Sequence, residues 1–106
     1  MKKVNVLGVD YSIKYSDKVQ DKELEGLCGY CDLPEKVIVI DATQDEDAIE
    51  CTIRHELIHA FLYESGLDAS SWARDEEIVD WIAIQFPKIQ KAIKKVVKNR
   101  VQLFTK

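Results

Sequence analysis

The chain contains two histidines, and both lie in one five-residue segment, His55-Glu56-Leu57-Ile58-His59. On an α-helix, residues four apart differ in direction by only about 40°, so both imidazoles would project from one face and converge on a single ion. Glu56 lies roughly 100° further round, on the side where its carboxylate can approach the open position of that ion. Zn²⁺ with three protein ligands keeps a fourth position for water and lowers the pKa of that water to about 7, and a glutamate can then accept its proton. The segment therefore predicts metal-assisted hydrolysis with Glu56 as the general base.

Two histidines leave zinc short of one protein ligand, and the chain has no third histidine. The acidic segment Asp75-Glu76-Glu77-Ile78-Val79-Asp80 supplies the candidates. Glu76 is the first choice for the third ligand, and Glu77 is the runner-up. Asp80 lies one helical turn after Glu76 and is placed to hydrogen-bond a ligating histidine and fix its tautomer. The alternative is that these acids are an ordinary solvated helix start, where negative charge is favourable.

The three cysteines are an odd number, which argues against a fully paired disulfide framework and fits a reducing compartment. Cys28 and Cys31 form a Cys-x-x-Cys segment without a second pair, so we interpret it as an ordered turn with incidental thiols. Cys51 lies four residues before His55, but three ligands over two turns span about 12 Å along the axis, too far to meet one ion. We therefore expect Cys51 to be a small buried apolar residue.

With 106 residues, of which 46% are hydrophobic, the chain is expected to form one domain over residues 1–106. No stretch approaches the roughly 20 apolar residues of a membrane span, and residues 1–5 lack the apolar run of a secretory signal. The sequence therefore favours a cytoplasmic protein with no membrane partner.

The charge is unevenly distributed along the chain. Residues 1–87 hold 8 basic and 19 acidic groups, whereas residues 88–106 hold 7 basic groups and no acidic one. Such a basic block leaves a nucleic acid partner open. Apolar residues at helical spacing instead favour an amphipathic helix over residues 88–104 that packs on the domain and exposes its lysines. These apolar residues are Ile89, Ala92, Ile93, Val96, Val97, Val101 and Phe104.

The elements that position the motif follow from hydrophobic patterning. Residues 1–41 are predicted to form the sheet region, with a hairpin of strands 4–9 and 11–15 and a third, apolar strand over residues 37–41. The metal-binding helix covers residues 44–65, and a third-ligand helix covers residues 75–86, where Pro87 ends it or begins the next helix. The predicted fold is α+β: a small, mostly antiparallel sheet of about three strands, packed on the central motif helix, with two C-terminal helices.

The helix with His55, Glu56 and His59, followed by Glu76 and Asp80 on the next helix, resembles the gluzincin metallopeptidases. The small size and the strand-then-helix order look like short phage or prophage zincin-like proteins, akin to the peptidase domains of repressor-cleaving regulators. The resemblance covers residues 37–86. It implies a minimal zincin-like domain, a zinc ion bound by His55, His59 and Glu76, and hydrolysis of peptide bonds in a protein or peptide substrate. It also implies that the strand over residues 37–41 is an edge for extended peptide.

The chain departs from larger gluzincins because it has no room for a second subdomain that walls the cleft and stabilises the oxyanion. Tyr11, Tyr30 and Tyr63 are candidates for that donor, and the sequence does not select among them. Loss of such a donor costs about 100- to 1,000-fold in rate. Two other functions therefore stay open: a non-catalytic, zinc-stabilised interaction module, and a nucleic-acid-associated protein that uses the basic block. The latter would use Lys88, Lys91, Lys94, Lys95, Lys98 and Arg100. Substrate, cleavage site and oligomeric state are not encoded in any motif.

Overall fold

A computed structural model describes residues 2–67 and 72–104, with side chains described as far as residue 98 in the last helix. It confirms the predicted α+β class: a four-stranded mixed sheet is followed by two helices. The strands are β1 (Lys2–Val6), β2 (Val9–Ser16), β3 (Gly29–Asp32) and β4 (Val37–Asp41), and the helices are α1 (Glu46–Glu64) and α2 (Glu76–Phe104). Short 3₁₀ turns at Lys22–Leu24 and Trp72–Arg74 lie between these elements.

The sheet has the strand order β1-β2-β4-β3. β1 pairs with β2 and β3 pairs with β4 in antiparallel fashion, whereas β2 and β4 are parallel. The sheet is mostly antiparallel, as predicted, but the prediction of three strands was wrong because β3 was assigned to a connection. β4 lies between β2 and β3, so the expectation that residues 37–41 form an edge was also wrong. The edge strand next to β4 is β3.

The predicted β1–β2 hairpin is confirmed, but its turn is at Leu7 and Gly8, inside the predicted first strand, and not at Asp10 between the two predicted strands. Both turn residues have positive φ, at 51° and 92°, as a two-residue type I′ turn requires. Asn5 supports the turn, because its side-chain oxygen accepts a hydrogen bond from the Gly8 amide at 3.0 Å.

Helix α1 lies between the sheet and α2. The Asp45 side chain caps its first turn by accepting a hydrogen bond from the Ala48 amide. Ile49, Ile53 and Leu57 pack against the buried apolar side chains of the sheet, which gives the motif helix a fixed position. These core side chains are Val6, Tyr11, Ile13, Ile38 and Ile40, joined by Ala60 of α1.

Helix α2 runs without interruption through Pro87, so the prediction of two separate C-terminal helices, over residues 75–86 and 88–104, was wrong. Proline has no amide hydrogen and leaves the carbonyl four residues earlier, that of Ala83, without its usual helical partner. Ala83 is fully buried, so water cannot replace that bond. The Arg54 guanidinium of α1 donates instead to Ala83 O at 2.7 Å. This bond satisfies the carbonyl and ties α2 to the motif helix.

The second half of α2 does not pack on the domain as predicted. Ile89, Ile93, Val96 and Val97 are exposed, whereas Val79 and Ala83 in the first half are buried. The polar contacts between α2 and α1 among the described residues lie in the first half of α2, at Glu76, Asp80 and Ala83. The side chains of Val101 and Phe104, which belong to the same prediction, lie outside the described residues.

Candidate metal site

His55 and His59 project from the same face of α1, as their spacing predicts. Their ring centroids are 4.9 Å apart with the planes at 65° to one another, and both side chains are largely buried. Their Nε2 atoms face the first turn of α2, where the third candidate ligand lies. Helix packing therefore brings together groups that are more than 15 residues apart in the sequence.

Glu76 is the first residue of α2, and its carboxylate bridges the two imidazoles. Its Oε1 lies 2.5 Å from His59 Nε2, and its Oε2 lies 3.5 Å from His55 Nε2. The side chain of Asp75 caps this end of the helix, because its Oδ1 accepts hydrogen bonds from the amides of Glu77 and Ile78. The cap fixes the first turn of α2 and with it the backbone position of Glu76.

One nitrogen from each histidine and one oxygen of Glu76 lie within 4.8 Å of one another. Tetrahedral zinc with bonds of about 2.05 Å requires ligand atoms that are about 3.3 Å apart. The two Glu76 oxygens lie 2.5 Å from His59 Nε2 and 3.5 Å from His55 Nε2, so the carboxylate is close to both imidazoles, and its side chain is exposed. Two imidazoles and one carboxylate are also a donor set that suits zinc. The residues present therefore fit this metal.

Asp80 lies on α2, one turn after Glu76. Its Oδ1 lies 3.4 Å from His55 Nδ1, on the opposite side of the ring from Glu76. An Nδ1 hydrogen directed at this carboxylate leaves the lone pair of His55 on Nε2, the nitrogen that faces the clustered ligands. Glu77 is not part of the cluster, since its side chain is absent from the set of close donors found among the described residues.

Glu56 is the buried acid of the site. Its side chain is only 7% exposed, and burial raises the pKa of its carboxyl to about 7, with the neighbouring Glu76 acting in the same direction and His55 opposing both. A carboxyl with a pKa near neutrality can both accept and release a proton, which is what a general base that later acts as an acid requires. Glu56 also lines two clefts, one on each side of the ligand cluster.

The two clefts have volumes of about 260 and 270 Å³ and share Leu27, Gly29, Glu56 and Glu76 in their walls. Cys28 and Cys51 line the first, whereas Tyr30, Cys31 and Leu33 line the second. The site thus opens between the edge strand β3 and the helix pair. Cys51 lies at this cleft and is not among the clustered donors.

Gly29 allows β3 to lie this close to the motif helix. A Cβ atom at this position would be 2.8 Å from Thr52 Cγ2 and 2.8 Å from Val39 O, closer than carbon atoms approach in folded proteins. The predicted fold lacks this strand and has Cys28 and Cys31 in a turn. Cys31 is in β3, directly on the cleft wall. Gly29, Tyr30, Cys31 and Asp32 show no alternation of apolar and polar residues, and the segment is short, so its sequence carries little signal for a strand.

The tyrosines proposed as oxyanion donors have other roles in the structure. Tyr11 is fully buried and donates its hydroxyl to Glu64 at 2.6 Å, and burial with this bond raises the pKa of its phenol. The Tyr30 hydroxyl donates to Asp21 at 2.6 Å. Tyr63 lies under the Lys36 ammonium, which is 4.7 Å from its ring centre. None of these contacts involves the ligand cluster.

No family model, curated protein or solved structure matches the chain. Within residues 2–67 and 72–104, no helix combines the length and the apolar character that crossing a membrane requires.

Proposed function

We propose that the protein is a zinc-dependent metallopeptidase. The observation that carries this proposal is the convergence of His55, His59 and Glu76 within 4.8 Å, with the buried Glu56 beside them and an open cleft on each side. A structural zinc site is usually closed by a fourth protein ligand, whereas a catalytic one has three ligands and keeps one position open. The described cluster has three donors.

Each residue has a separate role in this proposal. Zinc, when bound, supplies Lewis acidity that polarises the scissile carbonyl and acidifies water. His55, His59 and Glu76 hold the ion, and Asp80 keeps His55 in the tautomer with a free Nε2. Glu56 accepts the proton of the attacking water and later delivers it to the leaving amine. The position of Glu56 supports this role, because its carboxyl is next to the ligand cluster and lines both clefts.

The edge strand β3 is the candidate binding edge for an extended peptide, in place of β4. The Asp41 amide donates to Cys28 O, so Cys28 is in a hydrogen-bonded pair across β3 and β4. Pairing alternates along an antiparallel strand, and the backbone groups of Gly29 are therefore directed away from β4. Gly29 lines both clefts beside Glu56. A peptide added to this edge would place its backbone next to the ligand cluster.

Replacement of Glu56 by Gln tests the mechanism. The zinc-loaded variant should keep one ion per chain but lose hydrolysis of a mixed peptide library, with cleavage read by mass spectrometry. Glu50→Gln is the matched control, since Glu50 is exposed on the same helix and carries the same charge. Unchanged cleavage by Glu56→Gln would contradict the proposed base.

A second function is favoured by one observation: the hydroxyls of Tyr11 and Tyr30 are bound to acids away from the cluster. Without a donor for the oxyanion, the same site would act as a zinc-stabilised interaction module. Wild-type protein that binds zinc, gains stability from it and cleaves no peptide in the library would support this alternative over the peptidase.

A further inference from the structure

The second half of α2 has one side on which every charged residue is a lysine. At about 100° per residue, five lysines fall within a sector of about 120° around the helix. We call them the α2 lysine face: Lys88, Lys91, Lys94, Lys95 and Lys98. Every residue from 86 to 98 is exposed, so the whole face is accessible to a partner. The five lysines and Ala92 line an open groove of about 700 Å³.

No nearby acid neutralises this face. The last acidic residue of the sequence, Asp80, lies about 12 Å before Lys88 along the helix axis. That distance exceeds the Debye length of about 8 Å at physiological ionic strength. None of the ion pairs among residues 2–67 and 72–98 includes a lysine of this face.

The lysines also repel one another within the helix. Five pairs of them are three or four residues apart, and like charges at this spacing destabilise a helix. A helix face that only needs to be soluble carries charges of both signs, because opposite charges at the same spacing are stabilising. Segregation of one sign on one face is instead typical of a surface that binds a polyanion.

The spacing of the lysines indicates the kind of polyanion. From Lys88 to Lys98 the axis rises about 15 Å, so successive lysines are on average about 3.8 Å apart along it. One strand of duplex DNA carries one phosphate per about 3.4 Å of its axis. Lysine stems are flexible, so each ammonium can reach one of several successive phosphates. A single small anion would leave most of the face without a partner.

We propose that the α2 lysine face binds the phosphate backbone of duplex DNA, without selecting a base sequence. Lysine acts here as a point charge that contacts phosphate oxygens and releases the counterions of the duplex. Contacts to the backbone carry no direct information about base sequence. None of these lysines belongs to the ligand cluster, so DNA binding requires neither zinc nor peptidase activity.

A membrane surface fits the arrangement less well. The exposed apolar side chains in this half of α2 are centred about 180° from the lysine face. They are Ile89, Ile93, Val96 and Val97. Lysines strengthen membrane binding where their stems reach the headgroups beside a buried apolar face. A bilayer that buried these apolar residues would leave Lys91 and Lys98, at the centre of the lysine face, directed into water.

Fluorescence anisotropy of the full chain with a labelled DNA duplex of about 20 base pairs tests the proposal. A plot of the logarithm of the binding constant against that of the NaCl concentration should have a slope of about −2.7 to −4.5, for three to five phosphate contacts at about −0.9 each. Lys91→Gln combined with Lys95→Gln removes two contacts. This double variant should bind about 10- to 100-fold more weakly at about 100 mM NaCl and lose about 2 in the magnitude of the slope.

Lys3→Gln combined with Lys14→Gln is the matched control. It removes the same charge from exposed lysines of the sheet and should leave the slope unchanged. Glutamine and lysine have similar helix propensities, and far-UV circular dichroism checks that both double variants keep their helix content. A second duplex of unrelated sequence should bind within about 3-fold of the first, because the contacts are to phosphates.

The proposal would be overturned by a wild type that shows no salt-dependent binding at about 50 mM NaCl, or by equal weakening in the two double variants. It would also be overturned by tighter binding to another polyanion at an equal concentration of anionic charge. Single-stranded RNA, poly-glutamate and phosphatidylglycerol vesicles are the probes for this comparison, and they would assign the face to RNA, an acidic protein or a membrane.

Discussion

The bond between Arg54 and the Ala83 carbonyl gives a prediction about how α2 continues through Pro87. Replacement of Arg54 by Met keeps most of the apolar stem but removes the donor. Ala83 is fully buried, so its carbonyl would then have neither water nor a helical amide as a partner. An unsatisfied buried group of this kind costs about 1–3 kcal/mol in the free energy of unfolding. Replacement of Pro87 by Ala supplies the missing amide, which can donate to Ala83 O as in an ordinary helix.

The four proteins of this double-mutant cycle separate loss of the hydrogen bond to Ala83 O from loss of the contacts that the arginine stem makes. Arg54→Met should cost about 1–3 kcal/mol with Pro87 present and less than about 1 kcal/mol in the Pro87→Ala background, a coupling of roughly 1–2 kcal/mol. Losses from the arginine stem occur in both backgrounds and cancel. Urea unfolding with constant m values measures each free energy. A coupling within about 0.5 kcal/mol of zero would refute the claim that Arg54 replaces the amide that Pro87 lacks.

Three further predictions concern the site and its supports. Asp80→Asn should weaken zinc affinity about 10-fold in a chelator competition assay, because it weakens the carboxylate contact to His55 Nδ1. Glu77→Gln is the matched control. Equal effects of the two substitutions would contradict the role of Asp80 in orienting His55. Gly29→Ala should lower the free energy of unfolding by about 1–3 kcal/mol. Thr52→Ser in that background removes the nearest methyl group and should recover part of the loss. No recovery would mean that the clash with this methyl group does not cause the loss of stability. Hydrogen bonds from Thr43, with help from Lys18, lower the pKa of Asp41. The contribution of Asp41 to the free energy of unfolding is therefore present above about pH 4 and is lost as pH falls through the lowered pKa. The stability difference between wild type and Asp41→Asn should shrink on acidification, and a constant difference would contradict this.

The grouping of His55, His59 and Glu76 follows in part from local periodicity, which is visible in a sequence. His55 and His59 share a face because of their spacing alone, and Glu76 and Asp80 share a face for the same reason. What spacing does not give is the distance between the two helices. That distance depends on how α1 packs against α2, including the contact of Arg54 with Ala83 O. No sequence pattern predicts this contact.

The errors in the predicted fold have identifiable causes. β3 has four residues, begins with a glycine and is paired on one side only, so its local propensity is weak and its position depends on β4 and α1. The edge position of residues 37–41 was an implication of the family resemblance, and the predicted sheet had no β3 to contradict it. Pro87 predicts a helix boundary when only local bonds are considered, because proline removes one helical hydrogen bond. The bond from Arg54 to Ala83 O replaces it and offsets much of that loss. The apolar face of the helix over residues 88–104 was predicted to pack on the domain because periodicity shows that a helix face is apolar without showing what covers it.

Anomalous diffraction at the zinc absorption edge, on crystals of the zinc-loaded protein, tests the central claim most directly. The proposal predicts one zinc peak per chain, about 2.0–2.2 Å from one nitrogen of His55, one nitrogen of His59 and one carboxylate oxygen of Glu76, with a remaining position facing the cleft. A zinc ion bound by Cys28 or Cys51, a fourth protein ligand that closes the site, or no zinc between the two helices would contradict it.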